Sequence, residues 1–407
     1  MPATALVTDA QRGSAVAVIR SLGRRGWRVI AAESHPLAAG MYSRYAAGRL
    51  RLPPPRSEPE AMAEALLGAV RSEGVDLVVP VTDDVALPLA AARHRFAGLC
   101  ALALPDDAQL AVVNDKLATT HLAGHVGVPV PSTTSCESVA EARSAAGALG
   151  WPVVVKPRLS RVYIPGRRTE AFTASYAATV PELEGRVGEL LGRVPVLLQE
   201  YCPGDGVGVE MLTHRGRPLA AFQHRRLREV PPSGGASSLR ESEPLDAELY
   251  GHARRLLAAL DWTGLAMVEF KVGADGPRLL EVNGRIWGSL PLAVMSRMDF
   301  PARLGQLHLD GPPANGAGPD ASYAVGVRSR DLELELRWMA SVWRGDGTGV
   351  PVPHRRAALR AGLGLFRPEA AYDVLSVDDP LPGMAEVITL LARGGRALAR
   401  RVMGPGP

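Results

Sequence analysis

The sequence predicts an α/β protein of more than one domain, and three features of the chain lead to this expectation. Residues 4–32 alternate between strand, helix and strand, which is the pattern of a parallel sheet. Residues 265–283 contain two apolar runs around a glycine-containing turn, which predicts an antiparallel hairpin. A linker rich in Gly and Pro, residues 311–319, precedes a mostly helical tail. The 407 residues suffice for about two to four domains.

Composition and charge narrow the class of protein. Hydrophobic residues make up 46% of the chain and charged residues 22%, which is typical of a globular protein. No apolar stretch reaches the roughly 18 residues that span a bilayer, and the N-terminus lacks the layout of a signal peptide. We therefore expect a cytoplasmic protein with no stable membrane insertion. The net charge of +4 requires no nucleic acid. Cys100, Cys136 and Cys202 have no metal-ligand spacing and are expected to be reduced thiols.

The N-terminal part of the chain continues the βαβ pattern. A helix is expected over residues 59–74 and a buried strand over residues 75–81. Gly13 lies in the first turn, but the G-x-G-x-x-G pattern is missing, so a dinucleotide site is poorly supported. Asp83 follows the buried strand, and we interpret it as a helix N-cap in preference to a ligand-binding acid.

The lysines are the next informative feature. Only three of the 46 basic residues are lysine, namely Lys116, Lys156 and Lys271. Lys116 opens a predicted helix and Lys156 ends a predicted strand, residues 151–156. Lysine places a compact charge on a thin stem, so it suits a narrow phosphate channel better than arginine does. The alternative is that these three lysines fall at random.

The predicted hairpin brings acidic side chains together. If Val272 pairs with Arg278 across a five-residue turn, then Glu269 faces Glu281 on the neighbouring strand. Alternate side chains of a strand share one face. The side chains expected on that face are Glu269, Lys271, Leu279, Glu281 and Asn283.

Opposed carboxylates on neighbouring strands lie about 5 Å apart and repel one another, so a folded protein is expected to place a cation between them. Glu269, Glu281 and Asn283 offer hard oxygen donors, which suit Mg²⁺ or Mn²⁺. Solvated acids on exposed strands are the alternative, but the apolar residues around them argue against it. Arg285 lies just beyond the second strand, where its guanidinium could hold a carboxylate or phosphoryl group; a surface salt bridge is the alternative.

These residues resemble the ATP-grasp superfamily. Val268-Glu269-Phe270 and the segment 280–285 are similar to the two metal-binding strands of biotin carboxylase and carbamoyl-phosphate synthetase, and more distantly of D-alanine–D-alanine ligase. The resemblance covers residues 1–310. It implies a fold that is α/β and α+β in class. The implied parts are a Rossmann-like pre-ATP-grasp domain (1–112), a two-lobed ATP-grasp domain (113–310, with lobes 125–200 and 200–310) and a helical C-terminal extension (320–407).

The resemblance also implies roles for individual residues. The expected ATP contacts are Lys116, Lys156, Gln199, Glu200, Tyr201, Cys202, Asp205 and Leu279. The expected metal ligands are Glu269, Glu281 and Asn283, and the expected catalytic residues are Arg285 and Lys271. Residues 199–202 would form the hinge strand that reads the adenine, and Asp205 is the nearest candidate for the ribose.

Two segments differ from the sequence pattern of the ATP-grasp superfamily or match no strict motif of it. The Gly-rich loop over the phosphates is replaced by residues 158–168, which contain a single glycine; cationic side chains could substitute for it, or the loop could order only with substrate. Residues 225–238 could form an anion-binding nest or a mobile surface loop. The candidate substrate contacts are Arg225, Arg228, Ser233, Gly234, Gly235 and Ser289. The Arg-rich final helices are interpreted as solvated rather than as a membrane or partner surface.

The sequence thus predicts an ATP- and Mg²⁺-dependent ligase. Such an enzyme activates a carboxylate as an acyl phosphate and couples it to an amine or similar nucleophile, releasing ADP and phosphate. Its partners would be a small-molecule carboxylate and an amine-type acceptor, with a homodimer as a possible assembly. A phosphotransferase on the same scaffold and a catalytically inactive nucleotide-binding module are the alternatives.

Overall fold

The computed structural model describes residues 2–313, 319–345, 350 and 352–403, with side chains up to residue 394. Every helix in these ranges is too short or too polar to cross a membrane. All three cysteines are free thiols, as expected, and burial raises the pKa of Cys100 to about 11.

The N-terminal domain contains a five-stranded parallel sheet of order β3-β2-β1-β4-β5. The predicted βαβ opening is confirmed, since β1 pairs in parallel with both β2 and β4. A short 3₁₀ helix, Ala39–Tyr42, follows β2. The elements are β1 (Thr4–Val7), α1 (Gly13–Arg24), β2 (Arg28–Glu33), β3 (Gly48–Arg51), α2 (Pro59–Glu73), β4 (Leu77–Val79), α3 (Asp83–Ala91), β5 (Ala101–Leu102), α4 (Asp107–Asn114) and α5 (Lys116–His125).

Alternating side chains of this sheet enter two separate cores. Leu6 and Val78 pack with the helices α2 and α3 on one face. Val7 and Val79 enter the other core, which contains Trp287 and other apolar side chains from residues 286–307. The N-terminal domain therefore shares a continuous apolar core with the part of the chain that follows the predicted hairpin.

The next unit is a four-stranded antiparallel sheet of order β10-β7-β11-β6. The helices α6 and α7 cover its apolar face. A separate two-stranded hairpin, β8–β9, projects between β7 and β10. The elements are β6 (Thr133–Cys136), α6 (Val139–Leu149), β7 (Val153–Pro157), β8 (Arg161–Ile164), β9 (Arg168–Ala171), β10 (Ser175–Ala177), α7 (Val180–Leu190) and β11 (Val196–Glu200).

The third unit is a large sheet that begins directly after β11. Its strand order is β16-β15-β12-β13-β14, followed by two C-terminal strands. One face is apolar and packs against the helices α4, α5 and α8. The elements are β12 (Asp205–His214), β13 (Arg217–Val230), β14 (Ala236–Glu243), α8 (Ala247–Ala259), β15 (Gly264–Gly273), β16 (Gly276–Asn283), α9 (Leu290–Met295) and α10 (Phe300–Leu309).

The β15–β16 hairpin has the predicted register at its base but not near its turn. Glu269 pairs with Glu281, as predicted, but a bulge lies between this pair and the next. Beyond the bulge, Lys271 pairs with Arg278, and Leu279 pairs with Phe270. The predicted five-residue turn is wrong, since Gly273 and Gly276 still pair. The extra residue is Leu280, because a bulge sets two residues of one strand opposite one of the other.

The C-terminal region is mostly helical, but it also contributes two short strands that were not predicted. These strands, β17 and β18, extend the large sheet to seven strands. Helix α11 packs on β13 and β14. The elements are β17 (Arg328–Arg330), α11 (Leu332–Arg344), α12 (Arg355–Gly364), β18 (Ala371–Tyr372) and α13 (Pro380–Met403).

Buried ion pairs fix the C-terminal region to the sheet. Arg240 of β14 pairs with Asp373, and both side chains are almost fully buried. Arg228 of β13 pairs with Glu335 of α11 at 2.5 Å, and its guanidinium lies over the Trp338 ring. Burial raises the pKa of Asp373 to about 6, although the charge of Arg240 opposes that effect.

Replacement of Arg240 by methionine is expected to lower the free energy of unfolding by about 3–5 kcal/mol, because it leaves the Asp373 carboxylate buried without its cation. Urea unfolding followed by circular dichroism measures this loss. The control is Arg328→Met on the adjacent strand, whose pair with Glu241 is largely exposed on the arginine side. Its loss should be below about 1 kcal/mol. Equal losses in the two variants would contradict the role of burial.

Candidate active site

Two glutamates and an asparagine form the centre of the site. Glu269 on β15 and Glu281 on β16 are directly opposed on the face of the large sheet that lies opposite α8. The Asn283 Nδ2 atom donates hydrogen bonds to Glu269 Oε1 at 2.8 Å and to Glu281 Oε1 at 3.3 Å. The predicted meeting of the two acids is therefore confirmed.

Arg226 is the residue that sequence reasoning missed. It lies two strands away on β13, and its Nη2 atom pairs with Glu269. Its Nη1 atom also donates to the Gly235 carbonyl oxygen at 3.0 Å. Gly206 on the intervening strand makes room, since a Cβ atom there would lie 2.9 Å from the Arg226 Cδ atom. Burial opposes the charge of Arg226, but the neighbouring carboxylates outweigh burial and raise its pKa.

Arg226 continues into a chain of alternating charges. Glu229 accepts from Arg226 Nη1 at 3.3 Å and pairs with Lys271 Nζ at 2.6 Å. Lys271 also donates to the Gly204 carbonyl oxygen at 3.3 Å. Glu269, Arg226, Glu229 and Lys271 thus form one connected row, which we call the ion-pair row. The predicted catalytic role of Lys271 stays a prediction, and its ammonium group is engaged within this row.

The two lysines of the predicted phosphate site lie near the acids. Lys156 on β7 is close to Glu281 and Lys116, and burial lowers its pKa to about 8, although the charge of Glu281 opposes this effect. Lys116 at the start of α5 donates from its Nζ atom to Ser160 Oγ at 2.5 Å. The positive charge of Lys156 on the small four-stranded sheet therefore lies close to Glu281 of the large sheet.

The two opposed acids differ in their charge environment. Burial and the like charge of Glu281 raise the pKa of Glu269, against the effect of Arg226. Burial would also raise the pKa of Glu281, but the charges of Lys116, Lys156 and nearby arginines outweigh it and lower that pKa. Glu281 is thus the acid that keeps its negative charge most firmly.

The donor set fits a hard divalent metal ion. Within the described residues, no group of three or more His, Cys, Asp and Glu side chains is arranged to hold a metal ion. Two carboxylates and an amide suit Mg²⁺, which commonly takes one or two protein carboxylates and completes its shell with phosphate oxygens and water. The nearby lysines supply the positive charge that such phosphates require.

Arg285 is held by an acid of the N-terminal domain. Its Nε atom lies 3.2 Å from both carboxylate oxygens of Asp83. The interpretation of Asp83 as an N-cap is wrong, because Thr82 occupies the N-cap position of α3. Asp83 and Arg285 are separated by 202 residues in the sequence, so local helix signals could not reveal the pair. The Arg285 Nη1 atom donates to the Ile286 carbonyl oxygen at 3.0 Å.

Residues 158–170 form an ordered hairpin in place of a glycine-rich loop. The β8–β9 hairpin is tied to the N-terminal domain: Arg161 pairs with Asp84 at 3.0 Å, and Tyr163 donates to Glu60 at 2.8 Å. Arg158 pairs with Asp115 at 2.6 Å beside Lys116. Arg158 and Arg161 are thus paired with acids, and the substitution of cationic side chains for the glycine-rich loop stays a prediction.

The predicted hinge residues connect the two sheets. Gln199 donates from Nε2 to Thr133 Oγ1 at 2.9 Å, and the ring of Tyr201 meets Tyr176 edge-on at 5.9 Å. Glu200 and Cys202 lie beside each other at the end of β11, with Sγ and Oε1 3.9 Å apart. Their roles in binding ATP stay predictions.

Two other predicted ATP contacts lie elsewhere than expected. Asp205 is exposed and pairs with Arg225 at 3.4 Å. Leu279 does not share the face of Glu281, because the bulge turns it into the apolar core beside Phe270 and Val282. Its predicted place on the acidic face is therefore wrong.

The first part of the segment 225–238 forms neither an anion-binding nest nor a mobile loop, because residues 225–230 belong to strand β13. Arg225 is directed towards Glu243, at 2.6 Å, and Arg228 towards Glu335. The structure therefore does not bring these two arginines to the acids. The charged sequence lacks the apolar alternation of a strand, so sequence reasoning did not single out Arg226.

The remaining substrate candidates divide into two groups. Ser233, Gly234 and Gly235 form the turn between β13 and β14, beside Arg226 and the Tyr176 ring. Ser233 is buried, and its Oγ atom has no hydrogen-bond partner among the described residues. Ser289 is buried beside Met267, with its Oγ atom 4.0 Å from the sulfur.

Glu210 and His224 form a buried pair on the face of the sheet that also carries Glu269. Sequence reasoning missed this pair as well. The Glu210 Oε1 and His224 Nδ1 atoms are 2.5 Å apart, and both side chains are fully buried. Gly208 lies between His224 and Glu269 on the intervening strand. Burial raises the pKa of Glu210 and lowers that of His224. The pair was not predicted, because the alternation of β12 and β13 was not followed into their central residues.

Comparison with known sequences points to one superfamily. A family model described as "ATP-grasp in the biosynthetic pathway with Ter operon" matches residues 193–328. The N5-carboxyaminoimidazole ribonucleotide synthase of Pseudomonas aeruginosa is 25% identical over 220 residues, which are 54% of this chain and 58% of that protein. The chain thus spans somewhat more than half the length of this curated relative.

Solved structures share the architecture. The biotin carboxylase domain of Hydrogenobacter thermophilus 2-oxoglutarate carboxylase, solved with MgADP, ADP and bicarbonate, has a TM-score of 0.62 at 17% identity; the match covers 80% of this chain and 73% of that chain. The L-amino acid ligase of Bacillus licheniformis has a TM-score of 0.54 at 15% identity, covering 76% of this chain and 74% of that chain. The predicted fold class is confirmed by these likenesses.

Proposed function

Because the chain belongs to the ATP-grasp superfamily, we propose that it is an ATP-dependent ligase. The proposed reaction activates a carboxylate as an acyl phosphate, couples it to an amine or similar nucleophile, and releases ADP and phosphate. One observation supports this proposal: Glu269 and Glu281 meet across two strands at a place where Lys156 approaches from the small lobe and Lys116 from the start of α5.

Each of these residues has a proposed task. Glu269, Glu281 and Asn283 would hold Mg²⁺ or Mn²⁺, which when bound neutralises charge on the β- and γ-phosphates. Lys116 and Lys156 would contact the phosphates, since each offers an ammonium group at the boundary between the lobes. Residues 199–202 would bind the adenine along the hinge between β11 and β12.

Arg285 would hold the oxygens of the substrate carboxylate and the transferred phosphoryl group. Asp83 accepts from its Nε atom and the Ile286 carbonyl oxygen from its Nη1 atom, so Nη2 is the nitrogen proposed to bind the reacting groups. Phosphoryl transfer requires little covalent work from a protein; positioning and charge stabilisation supply most of the rate. The donor residues found here are sufficient for that task without a nucleophilic side chain.

The decisive experiment measures ADP release from ATP and Mg²⁺ with a panel of carboxylates, each with and without a panel of amines. A ligase should release ADP only when its carboxylate is present and should form an amide with the matching amine. Hydroxylamine in place of the amine should trap the acyl phosphate as a hydroxamate. A stable phosphorylated product without a hydroxamate would identify a phosphotransferase instead. ADP release at the background rate with every pair would oppose the ligase proposal.

Replacement of Asp83 by asparagine is expected to lower kcat about tenfold and to raise KM for the carboxylate, because the amide holds the Arg285 guanidinium less firmly. Steady-state kinetics with the substrate found above measures both constants. The control is Asp106→Asn, which changes the N-cap of α4 on the same domain. A similar loss in both variants would show that Asp83 acts on stability alone.

The assembly and location of the protein are part of the proposal. The biotin carboxylase domain named above is described as a dimer, and a homodimer is proposed for this chain on the strength of the shared fold. A cytoplasmic location is proposed together with the small-molecule substrates.

A further inference from the structure

Helix α12, Arg355–Gly364, carries large apolar side chains on its outward face. Leu359 is 60% exposed, Leu363 is 69% exposed and Phe366, just after the helix, is 91% exposed. Residues spaced by three and four positions share one side of a helix, so these three form a continuous ridge. Trp343, at the end of α11, is also more than half exposed.

The inward face of α12 is made of small residues. Ala358 and Ala361 are buried against Trp338 and Val342 of α11. An amphipathic helix at a protein surface normally turns its largest apolar side chains to the core. Here alanines make the contact with α11, and leucine and phenylalanine face outward, so the ridge is left uncovered by the part of the chain that the structure describes.

Arginines border the ridge on both sides. Arg355, Arg356, Arg360 and Arg367 are all exposed, and residues 347–368 contain no aspartate or glutamate, although Arg367 is paired with the exposed Glu369 at 3.5 Å. Over the whole chain, 46 basic residues are nearly balanced by 42 acidic ones, so this stretch is a local excess of positive charge. We call these four arginines, with Leu359, Leu363 and Phe366, the arginine-bordered ridge.

We propose that the arginine-bordered ridge docks on the surface of an anionic lipid bilayer. The apolar side chains would enter the boundary between headgroups and acyl chains, and the guanidinium groups would pair with lipid phosphates. A helix of ten residues is too short to span a bilayer, so it lies along the surface. This proposal is independent of the ligase activity.

Charge decides between lipid and a second copy of the chain. A symmetric dimer through the ridge would place the same patch on both subunits and would bring two sets of four arginines face to face. An anionic surface removes that repulsion. A single helix with exposed leucines has a convex surface, which can insert into the deformable surface of a bilayer.

Two packed helices lie between the arginine-bordered ridge and the large sheet that carries the candidate site. Helix α12 packs on α11, and α11 packs on β13. The guanidinium of Arg228 on β13 lies 4.8 Å from the Trp338 ring centroid, and Arg228 is two residues from Arg226 of the ion-pair row. A bilayer bound at the ridge would therefore be separated from the large sheet by the two helices α11 and α12.

Vesicle flotation with the full chain tests the proposal. Vesicles of phosphatidylcholine alone are compared with vesicles that contain about 30% phosphatidylglycerol, at low and at high NaCl. We expect at least tenfold more protein on the anionic vesicles, and a severalfold loss at high salt because exposed charges are screened. The double variants L363Q/F366Q and R356Q/R360Q should each lose most of this binding.

A matched control separates the ridge from general surface charge. The double variant L99Q/R71Q removes an exposed leucine and an exposed arginine from the N-terminal domain and should bind as the native chain does. Circular dichroism checks that all variants are folded. Failure of the native chain to bind anionic vesicles overturns the proposal, as does unchanged binding by L363Q/F366Q. A dimer in light scattering that L363Q/F366Q dissolves would assign the ridge to a second copy and would also overturn it.

Discussion

Replacement of Glu281 by glutamine is expected to reduce the rate of ADP formation by at least about 10²–10³-fold, the loss typical of removing one group that stabilises developing charge. Glu281 is the acid whose pKa neighbouring cations lower, so it contributes a negative charge beside the two lysines and to the proposed metal site. Glutamine keeps the size of the side chain and removes that charge. The substitution therefore tests electrostatics more than packing.

The measurement is the steady-state rate of ADP formation with the substrate pair found in the panel. Isothermal titration with MgADP tests the same residue without turnover, and the affinity should fall in parallel. The control is Glu241→Gln on β14, since Glu241 is half-buried on the opposite face of the same sheet. Retention of more than half of the native rate by Glu281→Gln would remove the basis of the proposed function.

The pairing of Glu269 with Glu281 was predictable because it follows from the two-residue period of neighbouring strands. The bulge at Leu280 was not predictable in the same way. A bulge shifts the register by one residue, and its place is set by packing against other elements. Leu279 fills the core beside Phe270, whereas Lys271 reaches Glu229; neither contact is local in the sequence.

Arg226 and Asp83 show a second limit of prediction from the local sequence. The second half of the strand that carries Arg226, residues 225–229, is mostly charged because its arginines pair with acids such as Glu269, so this part lacks the apolar alternation that marks a strand. Asp83 was interpreted from its place at a helix start, yet its partner is Arg285 of a different domain. In both cases the decisive partner lies far along the chain.

The short strands β17 and β18 illustrate the same point at the level of the fold. They contain three and two residues, too few to show a period of their own. They extend the sheet because Arg240 and Asp373 form a buried ion pair that holds the C-terminal region against β14. The attachment of this region to the sheet thus depends on tertiary contacts that leave little trace in local sequence.

The affinity for ADP is expected to weaken as the pH rises above about 8, because the half-buried Lys156 has a pKa of about 8 in the free protein. Burial disfavours its charged form, and a bound phosphate restores that charge and raises the pKa. Binding above pH 8 must therefore take up a proton, whereas below pH 7 the lysine is already protonated. Each pH unit above the free pKa should cost up to tenfold in affinity while the complex stays protonated.

Titration calorimetry with MgADP between pH 6.5 and 9.5, in two buffers of different ionisation enthalpy, measures both the affinity and the proton uptake. The matched variant is Lys156→Arg, because a guanidinium stays charged across this range and should abolish the proton uptake. Lys156→Met should bind about 10–100-fold more weakly than the native chain at pH 7, since a charge-assisted hydrogen bond is lost. The role of Lys156 would be refuted if native affinity were constant from pH 7 to 9.5 and proton uptake were the same in Lys156→Arg. If that role holds, a single half-buried lysine connects the fold of the small lobe to the charge of the nucleotide, because the surroundings that partly bury it also lower its pKa.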